Sequence, residues 1–280
     1  MTPGAGSRYS HAMMRHALFG LLVCLYLLPS CAADSGTDVD SVSAPTDTLV
    51  LDDVSEDADA ANEAFDGTAG VPGGDSVEPV ADATLVRILD NARFAPSGGN
   101  RQGWKVVVVR DEATRARLGE LIEPGFRSYL AQVQAGEAPW NTINASAVSD
   151  EQVAATTLPS GFVDKLTGAP VVLLVFVDLA VVASFDSGLD RIGVISGGSI
   201  YPFAWNILLA ARNEGLGGTL TTFVGAQEPA LHDLLGVPSQ YAFAAMIPMG
   251  KPVKQLTKLS RKPVSEFAVL ERFDGPALEV

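Results

Sequence analysis

From residue 80 onward the chain alternates short apolar runs with stretches of helical periodicity. Leu85, Ile88, Leu89 and Ala92 recur at three- and four-residue spacing, which places them on one face of a helix that Asp82 can N-cap. Lys105 to Arg110 encloses four consecutive valines, the pattern of a buried strand rich in β-branched residues. Asp111 can cap a helix predicted through Leu121. Residues 123–160 read as irregular, with helical pieces and loop. A second buried strand is predicted over Ala169 to Leu179, then a long apolar helix from Ser199 to Asn213 that stops at Gly215. A third strand over Gly218 to Phe223, a short helix from Gln227 to Leu235 ended by Gly236 and Pro238, and a fourth strand over Tyr241 to Met249 follow. A short helix is expected after Pro263. Interleaved strands and helices predict a layered α+β sheet protein rather than a bundle or a sandwich.

Upstream of residue 80 the pattern changes, and three regions are expected: a signal-like leader (1–30), an acidic flexible linker (31–79) and one domain (80–280). Arg8 and Arg15 precede an apolar-plus-Gly run from Ala17 to Leu28, twelve residues long and too short to span a bilayer. Leu28-Pro29-Ser30-Cys31 resembles a lipoprotein signal, with Cys31 as the lipidated residue and the cell envelope as the location. Ordinary secretory cleavage and a misassigned start, the latter leaving a cytoplasmic protein, are the other readings. Between Ala32 and Val86 there are fourteen Asp and Glu and no Lys or Arg, so the first half of this stretch reads as a self-repelling linker. Ser55 to Phe65 suits a short acidic helix. Gly67 to Gly74 lacks the Gly-Lys-Ser/Thr of a phosphate loop.

Charge and cysteine usage narrow the chemistry. The formal net charge of the 280-residue chain is -14, which disfavours nucleic acid as a partner. Both cysteines, Cys24 and Cys31, lie near the N-terminus. The body therefore has no disulfide, Cys-ligated metal or Cys nucleophile. Beyond the first sixteen residues the only histidine is His232, so a triad or a His-rich metal site would rest on it alone; its plain reading is a surface helix residue.

Three stretches can carry chemistry. Arg93-Phe94-Ala95-Pro96-Ser97-Gly98-Gly99-Asn100-Arg101-Gln102-Gly103-Trp104 is a helix end, a turn with adjacent glycines and a strand start. It reads either as a capped helix with a polar turn or as a place where a flat ligand lies against bare backbone, with Ser97, Asn100 and Gln102 supplying donors and acceptors. Asn213 to Thr222 joins a helix to a strand through Gly215, Gly217 and Gly218; it closes a helix instead of opening one, unlike a dinucleotide fingerprint. Lys251, Lys254, Lys258, Arg261 and Lys262 form a basic tail that is either solvated or suited to a phosphate.

Together these stretches resemble the FMN-dependent nitroreductase family. Its members carry "ARxAPSxxNxQPW" early, a helix ending "NxLLAAxxxGLG", and an "lGxP" strand end before a basic tail. Here these are Ala92 to Trp104, Asn206 to Gly217, and Met249 to Pro252 with Arg261. A closer likeness is to actinobacterial-type members with "FAPSGGNRQG". The resemblance covers roughly residues 78–275. It implies a three-layer fold, with a central mixed but mainly antiparallel sheet flanked by helices, and a homodimer with one FMN in each of two interface sites. It implies that Ser97, Gly98, Asn100 and Gln102 line the flavin ring, with Arg93 and Pro96 among the cofactor-binding residues. Leu220, Thr221 and Thr222 would present backbone groups near the reactive N5 edge, and Arg261 with Lys262 would hold the phosphate. No catalytic side chain and no metal are required, because the flavin carries the reaction. NADH or NADPH would reduce the flavin, and a nitro, quinone or enone compound would be reduced in a second, ping-pong half-reaction, with small aromatic or quinone-like substrates. A flavin store or sensor without turnover, and a dehalogenase or flavin-degrading enzyme with a lid inside residues 123–160, are the alternatives. Two departures stand out. Gly103 replaces the usual Pro before Trp104. The region matching the family's N-terminal arginine motif, Ser55 to Phe65, has no Arg or Lys, which leaves the phosphate to the C-terminal cations, Arg87 or Arg101.

Overall fold

Seven consecutive apolar residues, Val171 to Val177, are all buried in strand β2 (Val171–Asp178). A strand that is apolar at every position must be covered on both faces, and the rest of the fold supplies the two covers. The computed structural model describes residues 78–253 and 261–279; the leader with Cys31, the linker through residue 77, Lys254 and Lys258 lie outside the described residues. The sheet comprises β1 (Trp104–Val109), β2, β3 (Gly217–Gly218) and β4 (Tyr241–Gly250), in the order β1-β2-β4-β3 with every pairing antiparallel.

Side-chain alternation in β2 separates two cores. Val171, Leu173, Val175 and Val177 join Ile247 and Met249 of β4. That face is covered by Leu85, Ile88 and Ala92 of α1 (Asp82–Ala92) and by Phe203, Ala204, Ile207 and Ala211 of α5 (Tyr201–Asn213). Val172, Leu174 and Phe176 project the other way with Met246. They meet Leu118, Ile122 and Phe126 of α2 (Glu112–Gln134), Leu166 of α4 (Phe162–Thr167) and Leu231 of α6 (Glu228–Leu235). The result is the expected three-layer fold. Trp104 ties β1 to α5 by stacking on Phe203, ring centroids 4.6 Å apart. β4 carries a bulge at Ala244, where the register with β2 shifts between Val175 and Phe176, and the Tyr201 hydroxyl donates to the Ala244 carbonyl at 3.4 Å.

Several expected boundaries move, each for a local reason. Asp82 is the first helical residue of α1 and not its cap; Ala81 holds that place, because the Asp82 carboxylate is drawn into an ion pair with Arg110. Asp111 does cap α2, its carboxylate accepting from the Thr114 amide at 2.7 Å. α2 runs past Leu121 to Gln134 and continues through Pro124. Pro124 lies on the exposed side of the helix, where the carbonyl left unpaired by the missing N–H can turn to water. Residues 150–155 form the short helix α3, opened by a capping box between Ser149 and Gln152. The predicted third strand shrinks to Gly217–Gly218 plus a single bridge from Thr221 to Met246, since Phe223–Gln227 coils into a 3-10 turn against α2. The short helix expected after Pro263 is a 3-10 turn, Val264–Glu266.

Candidate active site

The first candidate stretch folds into a built turn. Gly98–Asn100 makes one 3-10 turn between α1 and β1. Ser97 Oγ accepts from the Gln102 amide at 2.9 Å, and the Ser97 carbonyl accepts from the Asn100 amide at 2.8 Å. Gln102 Nε2 donates to Asn100 Oδ1 at 3.1 Å. Gly99, Asn100 and Gln102 all have positive φ, 63°, 54° and 51°. Two non-glycine residues in the left-handed region so close together are a strained arrangement, of the kind that functional loops retain. The loop is docked from one side only: the Gly98 amide donates to Ser199 Oγ at 3.1 Å, and Arg101 Nη1 donates to the Val181 carbonyl at 3.1 Å. Its other side, including Pro96, Gly98, Asn100 and Gln102, is exposed. Gly103 has a steric cause, because a Cβ there would lie 2.6 Å from Val181 Cγ2.

The second candidate stretch borders a cavity of about 530 Å³ lined by Tyr129, Trp140, Leu220, Thr221, Thr222, Phe223, Gly225 and Ala226. Leu220, Thr221 and Thr222 thus do come together at one wall. The Thr221 amide and carbonyl exchange hydrogen bonds with Met246 at 2.9 Å each, which fixes the backbone there. Its side-chain oxygen is buried and has no hydrogen-bond partner, an arrangement that costs stability. Tyr129 and Trp140 escape a sequence reading because residues 123–160 carry no periodic signal that separates pocket aromatics from core aromatics, and Phe223 reads there only as the last residue of a strand. Among the described residues, Ser97 to Gln102 do not line this cavity.

The remaining predicted residues are dispersed. Arg93 Nε donates to Asp90 at 2.6 Å, and its guanidinium lies 4.5 Å from the Phe94 ring centre. Lys251 pairs with Glu78 at 3.2 Å, and Lys262, next in sequence to Arg261, stands 4.0 Å from Glu266. His232 is not a surface residue: its side chain is only 18% exposed, tucked beside Phe176 and 3.3 Å from Glu228. It lies outside the cavity lining. No cluster of metal-ligating side chains occurs among the described residues, and no described helix is long and apolar enough to cross a membrane.

A second anchored segment adjoins the Ser97 loop. Asp186 is buried and accepts from the Val194 amide at 2.7 Å and from Arg191 Nη1 at 2.8 Å. The Val194 amide foremost, and the Arg191 guanidinium after it, hold this carboxyl down to about 2. The segment thus tied exposes apolar side chains, including Phe185 at 92%. On α5, Tyr201, Trp205 and Leu209 are likewise exposed at four-residue spacing, so they form one outward stripe.

Residues 76–251 match the profile of the Nitroreductase family. Over 198 residues the chain is 27% identical to iodotyrosine deiodinase of Nematostella vectensis, covering 70% of this chain and 69% of that protein. It is 28% identical over 198 residues to iodotyrosine deiodinase 1 of Homo sapiens, covering 69% of this chain and 63% of that protein; the chain thus spans less than two thirds of the human relative. Among solved structures it resembles a BluB-like flavoprotein from Clostridium difficile 630, with TM-score 0.53 and 19% identity over 76% of this chain and 98% of that one, a likeness of fold.

Proposed function

Because the chain belongs to the nitroreductase family, we propose that it is an FMN-dependent oxidoreductase that uses NADH or NADPH to reduce nitro, quinone or enone compounds. The observation that carries this reading is the cavity of about 530 Å³ walled by Leu220, Thr221 and Thr222, which offers backbone polar groups to one edge of a flat ring. Leu220, Thr221 and Thr222 would hold the reactive edge of the flavin, on backbone made rigid by the Thr221–Met246 bridge. Ser97, Gly98, Asn100 and Gln102 offer a glycine-bared, polar surface for the ring, with Arg93 and Pro96 flanking it. Arg261 and Lys262 supply positive charge for the phosphate.

When bound, FMN supplies two-electron chemistry: a hydride taken from NAD(P)H is passed on as two electrons and one proton, and a second proton comes from solvent. The protein's own part is to fix the ring, exclude water with Leu220, Phe223 and Trp140, and orient the acceptor. The Ser97 loop and the cavity lie at separate places on the described surface, which a homodimer reconciles if each site takes one wall from each protomer. The exposed stripe Tyr201, Trp205 and Leu209 supports a second copy as the partner.

The deiodinase relatives, together with the aromatic cavity, favour reductive dehalogenation as the second reading. The test is the visible spectrum of the purified full chain with added FMN. Retained flavin that NADH or NADPH bleaches without oxygen, and that a quinone restores, is expected. Retained flavin that neither nucleotide bleaches would make the protein a flavin store or sensor. A colourless chain would end the reading, and halide release from a haloarene with no nitro or quinone turnover would favour the dehalogenase. The leader supports anchoring at the cell envelope through lipidated Cys31. Incorporation of labelled palmitate, lost in Cys31→Ser, is the expected result; a native N-terminus beyond residue 31 with no lipid would place the enzyme elsewhere.

A further inference from the structure

Between α2 and α3 the chain forms a flap, residues 135–149, that ties itself into shape. The Glu137 carboxylate accepts from Ser146 Oγ at 2.6 Å and from the Ala147 amide at 2.8 Å; the Ser146 hydroxyl foremost holds this carboxyl below the usual glutamate range. Asn141 Oδ1 accepts from the amides of Ile143 at 2.8 Å and Asn144 at 2.9 Å. One side chain fastens the flap to the helix beside it. Gln132, buried near the end of α2, accepts from the Trp140 amide through Oε1 at 2.7 Å, and its Nε2 reaches Ser128 Oγ at 3.3 Å.

Trp140 has φ +57°, a conformation that a bulky residue adopts only where its surroundings hold it there. The residue is 53% exposed and lines the cavity. Tyr129 stands three residues before Gln132, hence on the same side of α2, and meets Phe223 edge-on with centroids 5.4 Å apart. The lining therefore presents three aromatic rings, and its polar groups are hydroxyls and backbone; among the described residues it has no cation or carboxylate.

We infer that Gln132 is a positioning residue that holds Trp140 as the stacking wall of the substrate site, selecting a planar, uncharged aromatic acceptor. The inference rests on the oxidoreductase reading for its substrate role. A flat neutral ring gains stacking and loses little hydration there, whereas an amino-acid zwitterion would leave water without meeting an opposite charge. The strained backbone keeps the indole turned to the cavity before substrate arrives, so little ordering remains to be done on binding.

The experiment uses the FMN-loaded full chain with nitrobenzene as acceptor. Trp140→Ala should raise KM about tenfold with kcat within about twofold, the size expected for losing one aromatic stacking contact. Gln132→Met, which keeps the length but not the acceptor, should do the same, and Gln132→Glu, which keeps the acceptor, should restore most of the loss. L-4-nitrophenylalanine, the same ring with a zwitterion added, should show a KM well above that of nitrobenzene. An unchanged KM in Trp140→Ala, Gln132→Glu as poor as Gln132→Met, or equal KM for the two acceptors would overturn the inference. A second readout needs no turnover. Nitrobenzene should quench the intrinsic fluorescence of the wild-type chain saturably, and that component should vanish in Trp140→Phe. Identical quenching in the two chains would overturn the stacking wall even in a chain that binds no flavin, and a colourless chain with the expected quenching would sink only the oxidoreductase reading. Should Gln132→Met fail to fold, Trp140→Ala and Trp140→Phe, changes at a half-exposed ring, carry the test.

Discussion

Gly125→Ala isolates the packing that shapes the cavity floor. Gly125 is buried on α2 directly after Pro124. A Cβ built there lies 2.4 Å from the Phe223 carbonyl oxygen, 3.3 Å from its carbon and 3.4 Å from Ala226 Cβ. Ordinary non-bonded separations are roughly 3.5 Å, so the Phe223–Gln227 turn must retreat by about 1 Å, and the nearest clashing atoms are backbone. Overpacking of this kind costs about 1–3 kcal/mol, against about 1 kcal/mol gained when Ala replaces Gly inside a helix. The net expectation is a loss of about 1 kcal/mol, or a melting point about 2–4 °C lower for a domain of this size. Phe223, Gly225 and Ala226 line the cavity, so flavin uptake should weaken with it. Gly119→Ala is the internal control: it lies on the same helix, and the nearest atoms to its Cβ would be side-chain atoms, Val163 Cγ1 at 3.2 Å and Thr167 Cγ2 at 3.6 Å. Thermal denaturation of both variants, followed by flavin titration, separates the two effects. Should Gly125→Ala melt as high as Gly119→Ala and take up flavin like the wild type, the close approach of α2 to the Phe223 turn is not what sets the cavity.

Thr221→Val should raise the stability of the flavin-free protein, because a buried hydroxyl without a partner is removed; a melting point no higher than that of the wild type would refute this. Asp186, held down to about 2 in the fold, lies below the ordinary aspartate value of about 3.9. Its stabilising effect is therefore complete above about pH 4 and lost as pH falls toward about 2. Hydrogen exchange at the Val194 amide should accelerate over that window relative to the core, and the same acceleration in Asp186→Asn would remove the carboxylate as its cause. Trp205→Glu should turn the proposed homodimer into a monomer in light scattering and release flavin; an unchanged dimer would place the interface on another face.

Strands β1 and β2 were legible through their runs of β-branched residues, but burial was legible only for β2: its seven apolar residues from Val171 are all buried, whereas β1 is an edge strand in which Val109 is buried, Val106 and Val107 are half-buried and Val108 is exposed. Helix ends were legible where a cap acts alone, as at Asp111 and Gly236. They were misplaced where a tertiary partner competes for the capping group, as Arg110 does for Asp82. α2 was cut short because Pro124 reads as a terminator, and an exposed carbonyl that water can satisfy lifts that penalty. The Ser97 and Thr221 stretches were visible through their glycines and hydroxyls. Trp140 was hidden because its role depends on the one hydrogen bond its amide donates to Gln132 Oε1, and an eight-residue separation across a helix end leaves no periodic trace.

The pairing of β2 with β4 has a consequence for the nascent chain. β2 is complete at Asp178, yet the strand that covers its second edge begins only at Tyr241. At about 5–20 residues per second of synthesis, Val171 to Val177 waits roughly 3–12 s before that edge can be closed. Through that interval it is a charge-free, β-prone heptapeptide, the composition that pairs with other chains when left open. Yield of this protein should therefore be governed by translation rate and by holding chaperones during those seconds more than by the stability of the finished fold.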